Sequence, residues 1–436
     1  MAAPPLAFLP DLLEIHFGEL QTLWARRRDA LRSPAHTLRT LRLLDERIAA
    51  HTQGLLAVDP RATRALVEPA LAGDSRDAAC AAAHVLLRLG DAEAARLVAR
   101  AVARADAYTD GRAAPGLAEA LVHGPAAAVE PLYAALAAEG APAAMAVATE
   151  VLAARGALRG GQADAALATL VGDDAPAVRA AGWRAAAQLG ARRPPAEYAA
   201  GWQDDAPAVR LAALEAAAWA GEPAVLDYAR AAAARTPPGP LDALRLLAEL
   251  ADAGDGADAE RVAAVAVAAA TAAPGARPAH VALLGTLGSP EAVPWLVART
   301  ADADPRTAAA AGRAFARLTG VAVDRPDAYV PLPGDLDPFD AEFADAVPLP
   351  DPARAAAVWA GFPATLREAP RLAAGVDVSG PPDAAGLEAV DLDARRAWCM
   401  RARFRGRWAG TPAALGRLTG DGDALSPSAW LPRCPA

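Results

Sequence analysis

Eight segments of helical composition each end in a glycine, at positions 90, 124, 156, 190, 221, 254, 288 and 320, so successive endings lie 34, 32, 34, 31, 33, 34 and 32 residues apart. No other feature restricts the fold so severely. A spacing near 33 residues is the length of one helical hairpin, and hairpins of equal length stack into a repeat array. The endings read HVLLRLG, LAEALVHG, EVLAARG, RAAAQLG, EAAAWAG, LAELADAG, ALLGTLG and AFARLTG. Glycine suits the place because it enters the left-handed region just past a helix without a Cβ penalty.

Two consecutive units nearly superimpose: DDAPAVRAA from Asp173 and DDAPAVRLAA from Asp204, 31 residues later. In each, an Asp caps a helix, Pro stands in the first turn, and apolar residues recur at helical spacing. Arg179 and Arg210 hold equivalent places, five residues after Asp174 and Asp205. These four residues are expected to form a structural ladder between neighbouring units. A shorter amphipathic segment follows each of several glycines, at 92–103, 126–138, 225–234 and 291–299.

Composition agrees with helices packed closely. The chain is 54% hydrophobic but only 5% aromatic, so its core must be assembled from many small increments. Lys and Asn are absent, and all 43 basic residues are Arg. That removes Walker A, Schiff-base and kinase-type lysine chemistry at once, because each needs the amine. Without Asn there is no N-glycosylation sequon. The cysteines, Cys80, Cys399 and Cys434, are too few and too far apart for a disulfide framework or a zinc site, which points to a reducing, cytoplasmic setting. Residues 1–20 lack the basic start of a signal peptide, and the most apolar stretch, 262–273, is about 12 residues against the ~20 that span a bilayer. A net charge of −9 disfavours a general nucleic-acid binder.

The D-x-P-x-V-R helix start, the small-residue helix, the L-G or A-G ending and the period resemble HEAT repeats of the short type first noted in phycobilin lyase-like proteins. The resemblance covers about residues 60–320. Residues 12–58, with AGRAFARLTGVAVD at 311–324 and VPLPDP at 347–352, resemble an uncharacterised bacterial HEAT-repeat family often found near type VI secretion genes. The expected fold is all-α: an α-solenoid, a HEAT/ARM-like superhelix of about eight helical hairpins. Residues 1–60 would form an N-terminal helical cap, 61–320 the solenoid, 321–352 a Pro/Asp-rich linker or strap, and 353–436 a C-terminal helical segment. In the cap, Leu12, Ile15, Leu20, Leu23 and Trp24 are expected on the buried face of the first helix.

The function expected is a non-catalytic protein–protein interaction scaffold or adaptor, with an unidentified protein partner, no membrane association, no cofactor and no metal. The resemblance adds type VI secretion. A nucleic-acid-binding, glycosylase-like HEAT protein and a lyase or chaperone for a protein-bound chromophore stay open as alternatives. No His-Glu dipeptide, HExxH or GxSxG occurs. His84, His123 and His280 fall near the ends of first helices, where a cation is favourable. Cys80 sits in an Ala-rich helix as an inert thiol, and Cys399 has no histidine in its own segment to act as base.

Two sets of residues are candidates for contacting a partner. RRAWCMRARFRGRW at 395–408 interleaves six arginines with three aromatics. Its pattern fits period two and period 3.6, and the helix-like start at Leu392 favours a helix whose stripe is Ala397, Met400, Phe404 and Trp408. Arg401, Arg403, Arg405 and Arg407 would then form a solvated face open to an anion, an acidic partner or the chain's own acidic strap at 335–345. Trp183, Trp202, Trp219 and Trp295 recur along the repeats, either as core or as a contact row, since Trp and Arg are enriched in binding hot spots. Trp202, Trp219 and Trp295 are the candidates for that row. Trp202 leads, because Tyr198 to Trp202 falls in a second helix, the one that lines the concave face in HEAT arrays.

Overall fold

The computed structural model describes residues 9–108, 113–125, 142–158, 160–235, 241–251, 256–272, 277–331, 337 and 346–416. These residues form an all-α chain with four short strands among them. The chain divides into two compact units, Met1–Glu222 with Ala409–Ala436, and Pro223–Trp408. No helix among the described residues is long and apolar enough to cross a membrane.

In the first unit, α1 (Leu9–Ala30) and α2 (Leu38–Leu56) pack as a hairpin, followed by α3 (Pro60–Val67). Then come α4 (Arg76–Leu89), α5 (Ala92–Tyr108), α6 (Ala114–His123), α7 (Pro142–Ala154), α8 (Gly160–Val171), α9 (Pro176–Leu189), α10 (Pro195–Trp202) and α11 (Pro207–Ala220). Helices α4, α6, α7, α9 and α11 form one row, each packed on the next, with α5, α8 and α10 alongside. The row is joined largely through buried alanines such as Ala82, Ala144, Ala181 and Ala217, whose small side chains let helix axes approach to about 8 Å.

The glycine punctuation holds at six of the eight endings. Gly90, Gly156, Gly190 and Gly221 stand at φ of 74°, 69°, 58° and 71°, and Gly288 and Gly320 of the second unit at 76° and 73°. Gly124 departs: α6 closes on it with extended backbone at φ −74°. Gly254 lies outside the described residues, as does the segment at 126–138.

Helix α1 corrects two expectations. Its buried face is Leu13, Phe17, Leu20, Leu23 and Trp24, an i, i+4, i+7 succession that leaves Leu12 and Ile15 exposed. The helix also reaches beyond its own hairpin. The Trp24 ring lies against His84 of α4 and His123 of α6, with centroids 5.1 and 5.5 Å away. Arg28 pairs with Asp77 and Glu119, and Arg32 reaches Glu215 of α11 at 2.6 Å. Arg27 is wholly buried, bonded to Asp45 at 2.7 Å and to the Gly416 carbonyl in the short helix Pro412–Gly416 at 2.8 Å. His84 is therefore not the helix-end cation expected: burial first, then Arg88 and Arg27, pushes its pKa down to about 3, so the ring is neutral.

In the second unit, α13 (Leu241–Leu250), α15 (Arg277–Leu287) and α17 (Pro305–Thr319) pack in succession, accompanied by α12 (Ala224–Ala233), α14 (Gly256–Ala272) and α16 (Val293–Arg299). The two ends of the Pro/Asp-rich stretch then pair as antiparallel strands, β1 (Asp324–Tyr329) with β2 (Pro348–Pro350). Strand β2 lies on α17, where the missing side chain of Gly312 leaves room for Pro350. Beyond come α18 (Pro352–Ala360), α19 (Ala364–Arg367), the hairpin β3 (Leu372–Ala373) and β4 (Val376–Asp377), α20 (Ala384–Ala389) and α21 (Leu392–Phe404).

This last stretch closes the ends of the three packed helices. A helix leaves its final carbonyls without internal partners, and residues 371–375 supply the donors. Arg371 donates to the carbonyls of Ala251 at 2.8 Å, Ala248 at 2.6 Å and Thr286 at 2.8 Å. Main-chain N–H groups do the rest: Leu372 to Gly288, Ala374 to Arg317 and Gly375 to Leu318, at 2.8, 2.7 and 2.8 Å. The turn between β3 and β4 places Ala374 at φ 50° and Gly375 at φ 74°, the double left-handed geometry of a two-residue hairpin.

Candidate partner-binding site

The arginine- and tryptophan-rich stretch forms helix α21. Asp391 caps it by accepting from the Ala394 N–H at 2.7 Å, and Gly406 turns out of it at φ 69°. The helix is buried on nearly every side, including Trp398, Cys399 and Met400. Trp398 fits over Gly386 and donates its indole N–H to the Gly380 carbonyl at 2.8 Å.

The solvated arginine face expected of this helix is not what forms. Arg401 is buried and donates to the carbonyls of Val378 at 2.6 Å and Glu249 at 3.3 Å. Arg405 donates to the Leu250 carbonyl at 3.4 Å and lies over the Phe404 ring. Arg403 is half-buried, and desolvation lowers its pKa. Arg407 alone of the six is exposed. The physical reason is the C-terminal end of α13, whose carbonyls and partial negative charge draw Arg371, Arg401 and Arg405 inward. Asp393 completes the junction: it is buried, and accepts from Arg245 at 2.6 Å and Arg317 at 2.7 Å. Burial opposes its ionisation, but Arg317 and Arg245 hold its pKa below the usual carboxylate value. For neighbouring Asp391 burial prevails and the pKa rises. The acidic strap at 335–345 lies, Asp337 apart, outside the described residues.

The tryptophans divide. Trp183, Tyr198 and Trp202 form a stack with centroid separations of 5.4 and 5.8 Å inside the first unit, and Trp219 is 1% exposed. Trp202 and Trp219 are thus core residues in this arrangement, unable to present a ring face to a partner. Gly201 is what admits the stack, since a Cβ there would stand 3.0 Å from the Trp183 ring.

Of the two repeat arginines, Arg179 bridges to the next unit, through a carboxylate one place earlier than the spacing suggests, while Arg210 bonds within its own unit. Arg179 clasps both oxygens of Asp204 at 2.8 and 3.0 Å, while Asp174 contributes its backbone carbonyl. Arg210 donates to the carbonyls of Asp204 and Asp205 at 2.6 and 2.9 Å. The same device recurs where Arg64 meets Asp91 and Arg230 meets Asp258.

Trp295 is the exception. It is half-buried and lines a cavity of about 770 Å³ within the second unit, between α14, α15, α16 and residues 367–371. Ala263, Val267, Leu284 and Leu287 give the cavity an apolar wall. The exposed carboxylates of Glu260, Glu291 and Glu368 stand around it, and none of the three forms an ion pair among the described residues. Arg299 lies over the Trp295 ring at 5.2 Å and is balanced by Asp302 at 3.1 Å. Of the two arginines on the wall, Arg371 is turned into the helix ends and Arg367 lies over Trp359 at 5.9 Å. This volume falls within the ~300–1,000 Å³ usual for ligand sites. The three glutamates converge from positions 260, 291 and 368, a grouping that no local spacing announces.

Burial pushes the Cys399 thiol up to about 12 and raises the Cys80 thiol well above its usual value, so neither is a ready nucleophile. Among the described residues no three His, Cys, Asp or Glu side chains gather as a metal site. No protein-family model matches the chain, and no curated protein is a significant match to it.

Proposed function

We propose that the chain is a non-catalytic protein–protein interaction scaffold or adaptor, with its helical hairpins arranged as a HEAT-like α-solenoid. The observation that carries this reading is the Trp295 cavity. The half-buried Trp295 and three carboxylates without an ion pair among the described residues line it, whereas Arg401 and Arg405 are engaged within the chain. The Gly-ended period, the packed rows of first helices and the Arg–Asp bridges between hairpins support the repeat architecture. Association with type VI secretion, in the cytoplasm, follows from the resemblance of residues 12–58, 311–324 and 347–352.

Chemical cross-linking followed by affinity capture of the full chain and mass spectrometry tests the proposal. Recovery of secretion components supports both the scaffold and its setting. A different, reproducible protein partner keeps the scaffold and overturns the secretion assignment. Recovery of nucleic acid alone overturns the scaffold.

A further inference from the structure

We infer that the Trp295 cavity receives a basic segment of the partner protein, with an arginine or lysine side chain set between the Trp295 ring and the carboxylates of Glu260, Glu291 and Glu368. The inference rests on the scaffold reading and adds to it a place and a chemistry.

Charge complementarity identifies the occupant. All three glutamates are exposed and lack an ion pair among the described residues, so their charges remain available. Of the two arginines on the same wall, one is fully engaged, which leaves the carboxylates in excess. Arg371 donates to three helix-end carbonyls, and Arg367 lies over the Trp359 ring. An anion would meet the three carboxylates and, on the wall, only Arg367 as an available cation. A cation finds both a carboxylate rim and an aromatic face, the pairing that recognises ammonium and guanidinium groups.

The ring has already shown the chemistry, since Arg299 holds its guanidinium over Trp295. The wall of Ala263, Val267, Leu284 and Leu287 then takes the methylene stem of the incoming residue, as long basic side chains bury their stems while keeping the charge wet. A free small cation would leave that apolar wall uncovered, which is why a peptide side chain is the better fit.

Fluorescence anisotropy with labelled hexaarginine tests this on the full chain, beside hexaglutamate and a single-stranded hexanucleotide. The wild type should bind hexaarginine and neither of the others. The variant Glu260→Gln/Glu291→Gln/Glu368→Gln should weaken binding about tenfold, and Trp295→Ala about fivefold. A control, Asp11→Asn/Glu14→Gln/Glu46→Gln, changes net charge equally at exposed positions of the first unit and should leave binding unchanged. Equal weakening by the control, or none by the cavity variant, overturns the inference, as does preference for either acidic probe. Thermal melting of each variant shows that it is folded. The two proposals fail separately: a captured partner that the cavity variant still retains sinks the site but keeps the scaffold, and hexaarginine binding without any captured protein does the reverse.

Discussion

Arg179 clasps both carboxylate oxygens of Asp204, the residue that opens the next hairpin, at 2.8 and 3.0 Å. Asp204 also accepts from the Ala206 N–H at 2.9 Å, so one side chain fixes the turn that leads into α11 and ties two hairpins together. Asp204→Ala, which removes the turn bond as well as the pair, should therefore cost more than Arg179→Met: about 2 kcal/mol against about 1. Urea denaturation of the two variants checks the order. The hydrogen bond from Arg179 is the main cause of the lowered pKa of Asp204. A depressed carboxylate stabilises above its unfolded value, near ~4, and that contribution disappears as pH falls through the folded value. Arg179→Met should accordingly flatten the acid side of the stability profile.

His84 has the opposite charge logic. Its folded pKa of about 3 lies below the ordinary histidine value, so the unfolded chain binds a proton that the folded chain refuses. Stability should fall as pH drops below ~6.5, by up to about 1.4 kcal/mol per pH unit until the folded value is reached. Replacing the ring in His84→Phe should remove that slope between pH 4 and 6 in denaturation series, even where it changes the overall stability. An unchanged slope would show that other groups set it.

Asp393 is held between Arg245 and Arg317, with its side chain 2% exposed. Asp393→Asn leaves two arginines facing a neutral amide and should cost about 3 kcal/mol, the low end for breaking a buried pair because Arg245 is partly solvated. The expected fall in Tm is roughly 6–12 °C by calorimetry.

Trp202 separates a core role from a contact role. Its place in the stack with Tyr198 and Trp183 means that Trp202→Ala should destabilise by about 3–4 kcal/mol while leaving hexaarginine binding intact below the melting transition. Trp295→Ala should do the converse, with little change in Tm and weakened binding.

The turn at Ala374 and Gly375 invites a gain. Ala374 adopts φ 50°, which costs an alanine roughly 1 kcal/mol. Ala374→Asn should raise stability by about 0.5–1 kcal/mol, since Asn tolerates that region. Gly375→Ala should lower it, because a Cβ there would stand 2.8 Å from the Thr319 carbonyl oxygen.

The legible part of this molecule was local. Six glycine endings and the proline in the first turns of α9 and α11 were written in the sequence and formed, although Gly124 closes α6 in extended backbone and the N-caps of α9 and α11 are Ala175 and Ala206, not the expected Asp. What escaped was set by distant packing. Leu12 and Leu13 differ by one position, yet only tertiary contact decides which faces inward. Arg401 looked solvent-facing because its acceptors, the carbonyls of Val378 and Glu249, are main-chain groups that carry no signature in the sequence. The glutamates of the cavity stayed hidden for the same reason: the chain must fold before Glu260, Glu291 and Glu368 become neighbours.

The donors that close α13, α15 and α17 lie at residues 371–375, 401 and 405, far along the chain from the helices they complete. An open repeat array can gain or lose a module and change its stability by one increment. Here removal of a hairpin would slide Arg371 and the Ala374–Gly375 turn off the carbonyls they meet, so the number of modules in the second unit is locked. Truncation before residue 371 should then remove stability in one step and not in proportion to the length deleted.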